Sequence, residues 1–193
     1  VLATNTYYTM ACGPVELDLV FTAPMLIDDY DLISTPINYI SYQVRATDGK
    51  KHDVQFLLTA DATQAINKSN QPTLTSRGFE DGIAYVKAGT VEQPILAKKG
   101  DGICIDWGYF YMPAINGNVS MGQPDKMLEA FVQTGKFPRP DRAQMQGEKG
   151  RSARRGIRAE NVAEMPAMAY VHNFGQVEQA SSFTMLGYDE VQD

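Results

Sequence analysis

Asp106-Trp107-Gly108-Tyr109-Phe110-Tyr111 sets a carboxylate beside an indole and two phenols. A carboxyl group among aromatic rings can act as an acid of raised pKa or orient a ligand. Exposed Trp and Tyr faces are platforms for sugars and other ring-bearing molecules. Asp106, Trp107 and Tyr109 are therefore the candidate binding residues, while no catalytic residue and no cofactor is assigned. Strand alternation divides them. In a strand over this run, Ile103, Ile105, Trp107, Tyr109 and Tyr111 share one face, and Cys104, Asp106, Gly108, Phe110 and Met112 share the other. That parity favours a structural account, with Trp107 and the tyrosines in the core and Asp106 satisfying a backbone or loop donor.

Other reactive residue types are scattered. His52 and His172 form no HxxxH or HExxH pattern, and His52 lies beside a turn, so each reads as a surface or strand residue. No GxSxG elbow, GxxxxGK[ST] loop or strand-linked GxGxxG occurs, which removes support for serine-hydrolase chemistry and nucleotide binding. Cys12 and Cys104 form no CxxC pair; they read as buried free thiols or, in an oxidising compartment, as one disulfide. Asp28, Asp29 and Asp31 lack the ligand order and turn glycine of a calcium loop, so they are expected to be solvated turn residues and no metal is assigned.

The formal net charge of −6 argues against nucleic acid as a partner, which needs a basic footprint. The charge is uneven, because Lys136 to Arg158 is rich in Lys and Arg against only Asp141 and Glu148. With Pro138, Pro140, Gly147, Gly150 and Gly156, this stretch reads as a long solvated loop, with docking on an acidic surface as the alternative. No apolar run is long enough to span a bilayer, and Val1-Leu2-Ala3-Thr4-Asn5 has no signal-peptide pattern. The chain opens without Met, and the expectation is a piece of a longer protein.

The elements that must position these residues read as β-structure. With 193 residues, 44% of them hydrophobic, one domain with a sizeable core is expected. Residues 6–12 and 15–21 read as strands, and in the second Val15, Leu17, Leu19 and Phe21 alternate with Glu16 and Asp18. The stretch from Pro24 to Pro36 reads as a connection between sheets or around a sheet edge. Residues 40–45 and 53–58 are expected to pair as a hairpin through Thr47-Asp48-Gly49-Lys50, with Ile40, Tyr42 and Val44 sharing a core face with Val54, Phe56 and Leu58. Residues 67–78 are turn-rich, residues 82–88 read as a strand, and the best single strand runs from Gly102 to Met112. One helix is expected over Pro124 to Thr134, with Pro124 at its first turn, Gly135 just past its end, and an apolar stripe of Met127, Leu128, Phe131 and Val132. Residues 168–174 and 182–188 complete a mainly β fold, an antiparallel β-sandwich with one short flanking helix.

Three stretches carry a resemblance: residues 10–24, residues 32–42, and Gly102-Ile103-Cys104-Ile105-Asp106-Trp107-Gly108-Tyr109. With the helix at Pro124 to Thr134 and Leu186-Gly187-Tyr188-Asp189-Glu190, they make the chain resemble the N-terminal β-sandwich region of glutaminase A-like proteins of fungi and Bacteroides-type bacteria. The resemblance implies a sandwich module that precedes a helical catalytic domain of the same chain, in secreted or periplasmic proteins hydrolysing L-glutamine to L-glutamate and ammonia. The small-molecule substrate would then be met through the parent protein, with this module non-catalytic and supporting the catalytic domain. The alternative is a carbohydrate-binding or glycoside-hydrolase-associated sandwich using the aromatic face around Trp107.

Overall fold

The computed structural model describes residues 3–137 and 166–189. The strands are β1 (Asn5–Cys12), β2 (Val15–Thr22), β3 (Ile37–Ala46), β4 (His52–Asp61), β5 (Thr73–Glu80), β6 (Ile83–Thr90), β7 (Tyr109–Pro113), β8 (Asn118–Gly122), β9 (Ala167–Val177) and β10 (Gln179–Asp189). Two helices, α1 (Tyr30–Ser34) and α2 (Pro124–Thr134), and a 3-10 turn at Ala62–Ala65 join them. A seven-stranded sheet in the order β1-β2-β3-β10-β7-β6-β5 faces a three-stranded sheet in the order β4-β9-β8, and every pairing is antiparallel. This is the β-sandwich expected from the alternation of apolar and polar residues.

The core forms where the small sheet covers the middle of the large one. Ile40 and Tyr42 of β3, Val86 and Ala88 of β6 and Met112 of β7 meet Phe56 of β4 and Met168 and Tyr170 of β9. In β2, Leu19 is buried and Leu17 and Phe21 pack against the same cluster, so its period-two pattern holds. The outer strands of the large sheet overhang. On β1, Tyr8 and Met10 face Leu19 and Leu17 across the register, on the core side, yet both are exposed.

Four sequence expectations change here. β3 and β4 are not a hairpin, because the chain turns through Gly49 (φ 68°) and crosses from the large sheet to the small one. Their apolar faces do meet, as layers of the core, with the rings of Tyr42 and Phe56 stacked at 4.0 Å. A second crossing at Glu178 lies beside it, where the Ala46 amide donates to the Glu178 carbonyl at 2.7 Å. Residues 23–36 join two neighbours in one sheet, β2 and β3, rather than two sheets. The turn-rich stretch of residues 67–78 supplies most of β5, whose Thr and Ser content hides a strand. The long strand from Gly102 contracts to β7, because Gly108 at φ 79° turns the backbone immediately before Tyr109.

Helix α2 has the expected bounds. Pro124 opens it, and Gly135 closes it at φ 67° with its amide donating to the Phe131 carbonyl at 2.7 Å. Its stripe is only half used, since Met127 is buried while Leu128 and Val132 stand in solvent. The basic segment lies outside the described residues beyond Phe137.

Gly117 reports on how closely the start of β8 approaches β9. A Cβ there would stand 2.5 Å from the Val171 carbonyl oxygen and 2.6 Å from the Tyr170 ring, and neither can withdraw. Gly117→Ala is expected to lower stability by about 2 kcal/mol, the cost of overpacking a filled site. Thermal unfolding checks this, and an unchanged midpoint would show that the β8–β9 contact is looser than its geometry.

Candidate functional site

The Asp106 region begins at the end of β6, where the chain makes a long connection, residues 91–108, before re-entering the sheet. Asp106 is 1% exposed. Its carboxylate accepts from Gln71 Nε2 at 2.7 Å and from the Lys98 ammonium, and its carbonyl accepts from the Thr90 hydroxyl at 2.7 Å. Burial pushes the carboxyl pKa up, but the hydrogen bonds from Lys98 and Gln71 and the Lys98 charge outweigh it and hold the group below the ordinary 3.8. Asp106 is thus a paired anion rather than an acid of raised pKa.

The same groups pin the surrounding loops. Gln71 Oε1 accepts from the amides of Asn67 and Lys68 at 2.7 and 2.8 Å. Gln93 clasps Gly108 from both sides, its Oε1 accepting from the Gly108 amide at 2.6 Å and its Nε2 donating to the Gly108 carbonyl at 3.1 Å. The Tyr188 hydroxyl donates to the Trp107 carbonyl at 2.5 Å. Trp107 is half-buried, outside the sealed centre of the core in which it was expected.

Tyr109 faces away from Asp106. It lies on the outer face of the large sheet with Tyr111, ring centroids 6.5 Å apart, and Tyr111 leans on Tyr85 at 5.3 Å. The Lys87 ammonium stands 4.1 Å from the Tyr109 centroid, so that ring already carries a cation. Gly89 makes room for Tyr109, whose Cδ1 would meet a Cβ there at 2.7 Å. Burial, with help from the charge of Asp189, pushes the Tyr111 phenol up to about 12, so it stays protonated at neutral pH. The three candidate residues are neighbours in sequence that face three different surroundings.

Other titratable groups are committed elsewhere. His52 pairs with Asp48 at 2.9 Å beside the β3–β4 crossing. His172 lies on the core side of β9, where its Nδ1 meets the Tyr42 hydroxyl at 2.8 Å; that hydroxyl meets the Tyr170 hydroxyl at 2.8 Å, and Tyr170 donates to the Ile115 carbonyl at 2.7 Å. Each hydroxyl has one proton. With the Tyr170 proton on Ile115, Tyr42 donates to Tyr170 and His172 donates from Nδ1 to Tyr42, which assigns the Nδ1–H tautomer. Burial pushes this imidazole below its ordinary pKa. Cys12 and Cys104 are free and exposed, so neither the buried thiols nor the disulfide form. Asp29 caps α1 by accepting from the Leu32 amide at 2.9 Å. Among the described residues no group of three or more His, Cys, Asp or Glu side chains is placed to hold a metal, and no helix is long and apolar enough to cross a membrane.

A cleft of about 710 Å³ opens at the same end of the sandwich as the Asp106 network, between the sheets and the start of α2. Phe21, Asn38, Leu58, Phe110, Met127 and Leu128 are among its lining residues. Its bed is largely apolar, and at its edge the Thr63 hydroxyl donates to the Asp61 carboxylate that caps the 3-10 turn.

A family described as a domain of unknown function, DUF5127, matches residues 4–193. The chain belongs to the DUF5127 family. This DUF5127 chain is also 28% identical over 144 residues to glutaminase A of Aspergillus oryzae (strain ATCC 42149 / RIB 40), across 72% of its own length and 21% of that protein. The DUF5127 chain therefore spans about a fifth of the curated relative it matches, and its likeness to a glutaminase A protein is established at that coarse level.

Sequence spacing pointed to Asp106 but not to Lys98, eight residues earlier in the same connection, or to Gln71, which reaches it from the connection before β5. The Tyr42–Tyr170–His172 chain was also invisible, because β3 and β9 lie at opposite ends of the sequence. The one available signal was parity, since Tyr170 and His172 alternate with Val171 on a strand.

Proposed function

We propose that this DUF5127 chain is a non-catalytic sandwich module of a glutaminase A-like amidohydrolase, in which another part of the longer protein cleaves the side-chain amide of L-glutamine with water to give L-glutamate and ammonia. The similarity to the Aspergillus oryzae glutaminase A carries this reading. The geometry is in keeping with it. Asp106 is sealed and ionised, His172 spends its Nδ1 hydrogen on Tyr42, and the exposed His52 faces Asp48 at a turn. Amide hydrolysis needs a nucleophile or activated water, a proton donor for the departing ammonia and donors for the oxyanion. These groups supply none of them together. The module's role is to support the catalytic domain, in a protein exported to the periplasm or beyond the cell.

The parent protein is expected to release ammonia from L-glutamine while the purified chain of residues 1–193 releases none above a buffer blank. Coupled glutamate and ammonia assays across a range of pH check both halves. Turnover by the isolated chain would overturn the non-catalytic role, and an inactive parent would remove the amidohydrolase reading.

A further inference from the structure

The two ends of the sandwich differ in chemistry. At one end, the connections Gly13-Pro14, residues 47–51, Asp81-Gly82, residues 114–117 and Glu178 carry no exposed large apolar side chain among the described residues, and the exposed apolar residues beside them on β5 and β6 are Phe79 and Ile83. At the other end, Met25, Leu26, Ile27, Ile95, Leu96 and Leu128 are all exposed, Ile27 at 79% and Leu96 at 72%. These side chains come from three separate stretches, the β2–β3 connection, the β6–β7 connection and α2, and the apolar cleft opens among the same strand ends. Phe21 and Asn38, which flank residues 23–36 in the chain, both line it.

Within that connection, α1 is five residues long and buries none of them. A helix so short has no stability of its own and is ordinarily held by an apolar face packed against something. Here Tyr30 and Ile33 face solvent. Asp28, Asp29, Asp31, Asp61 and Asp125 stand on the same end, with Lys98 and Lys99 following the loop tip and Lys126 in the first turn of α2, so the β2–β3 connection is its acidic part.

The chain also leaves the fold there. The Tyr188 amide donates to the Pro36 carbonyl at 3.0 Å, and Asp189 pairs with Tyr109, so β10 ends beside the β2–β3 connection. In a relative of which this chain matches 21%, most of the polypeptide lies elsewhere. Whatever follows β10 emerges at the apolar end.

We propose that this end of the sandwich, residues 24–33, the Ile95-Leu96 loop tip and the cleft beside Leu128, is the docking surface for the polypeptide that follows Asp193 in the parent protein. The occupant is an apolar segment with basic side chains where it meets Asp28, Asp29 and Asp31 of the β2–β3 connection. The inference rests on the proposed module role and adds to it which face carries the contact.

Hydroxyl-radical footprinting of the intact parent protein tests it, with Phe79 as the internal reference. Phe79 is 73% exposed and sits at the opposite end, in β5 just before the turn at Asp81. Ile27, Leu96 and Leu128 are expected to label severalfold more slowly than their exposure here dictates, while Phe79 labels freely. In the parent carrying Ile27→Asp and Leu128→Asp, Met25 and Leu96 should regain labelling while the circular-dichroism β-signal persists. Free labelling of the apolar end in the unaltered parent overturns the proposal. So does protection that fades on dilution or crosslinks to a second copy. The module reading is judged separately, by the parent's ammonia release, so an active parent with an open apolar end refutes the docking face alone. A parent lacking polypeptide beyond Asp193 likewise refutes the docking face alone.

Discussion

Lys98→Met is expected to destabilise the chain by about 2–3 kcal/mol at neutral pH, the scale of breaking a largely buried charge pair whose cation is partly in water. The reason is an asymmetry in the pair. Lys98 is one-third exposed and can be hydrated when alone, whereas Asp106 is sealed and would keep only the Gln71 donor. Asp106→Asn in the Lys98→Met background should recover part of the loss, because the uncompensated charge is gone. Urea unfolding of the four proteins of this cycle measures the coupling. A single-variant loss within a few tenths of a kcal/mol would show that the pair acts like an ordinary surface bridge.

The sign with pH follows from the same pair. Because the folded carboxyl titrates below the ordinary 3.8, its stabilising contribution is fully present above that value and is lost as pH falls through the folded pKa. Removing Lys98 takes away the main influence holding the pKa down and leaves burial pushing it up. Acid unfolding of Lys98→Met should therefore begin at a higher pH than in the unaltered chain.

Tyr170→Ala should cost about 4 kcal/mol, and Tyr170→Phe about 1–3 kcal/mol, through different mechanisms. Alanine empties a fully buried ring site that packs against Tyr42 and Phe56, with ring centroids at 6.5 and 6.4 Å. Phenylalanine keeps the packing but leaves the Ile115 carbonyl without its donor and removes the acceptor of the Tyr42 proton. That proton is then free to turn to Nδ1 of His172, which accepts it only as the Nε2–H tautomer, or to the neighbouring Ser182 side chain. Denaturant midpoints measure the stability change, and ¹⁵N shifts of His172 read the tautomer. An Nε2–H imidazole in the unaltered chain would refute the proton order along the chain.

The class of fold was legible because β2 and β3 each alternate core-facing apolar residues with outward ones. Helix α2 was legible because proline and glycine mark its ends. What was hidden depended on partners distant in sequence. The Asp48-Gly49 turn looks the same whether the following strand folds back into its own sheet or crosses to the facing one, and β10 beside β3 decides between them. β5 is polar because it overhangs the small sheet, so it lacks the apolar face by which strands are recognised. Around Asp106 the local residues suggested a site, but the positive φ of Gly108 broke the alternation on which their facing was argued. The charge state of Asp106 was set by Lys98 and Gln71, whose approach is a product of the finished fold.

β1 begins and β10 ends at the same end of the sandwich, with Asn5 opposite Thr22 and Gly187 opposite Ile37. Tension applied between these two points does not run along the length of the sandwich. It peels β1 from β2 one rung at a time, since their pairing begins at Asn5, where the pull enters. A pull on these two points therefore meets the β1–β2 ladder one hydrogen-bonded rung after another, and not the whole row at once.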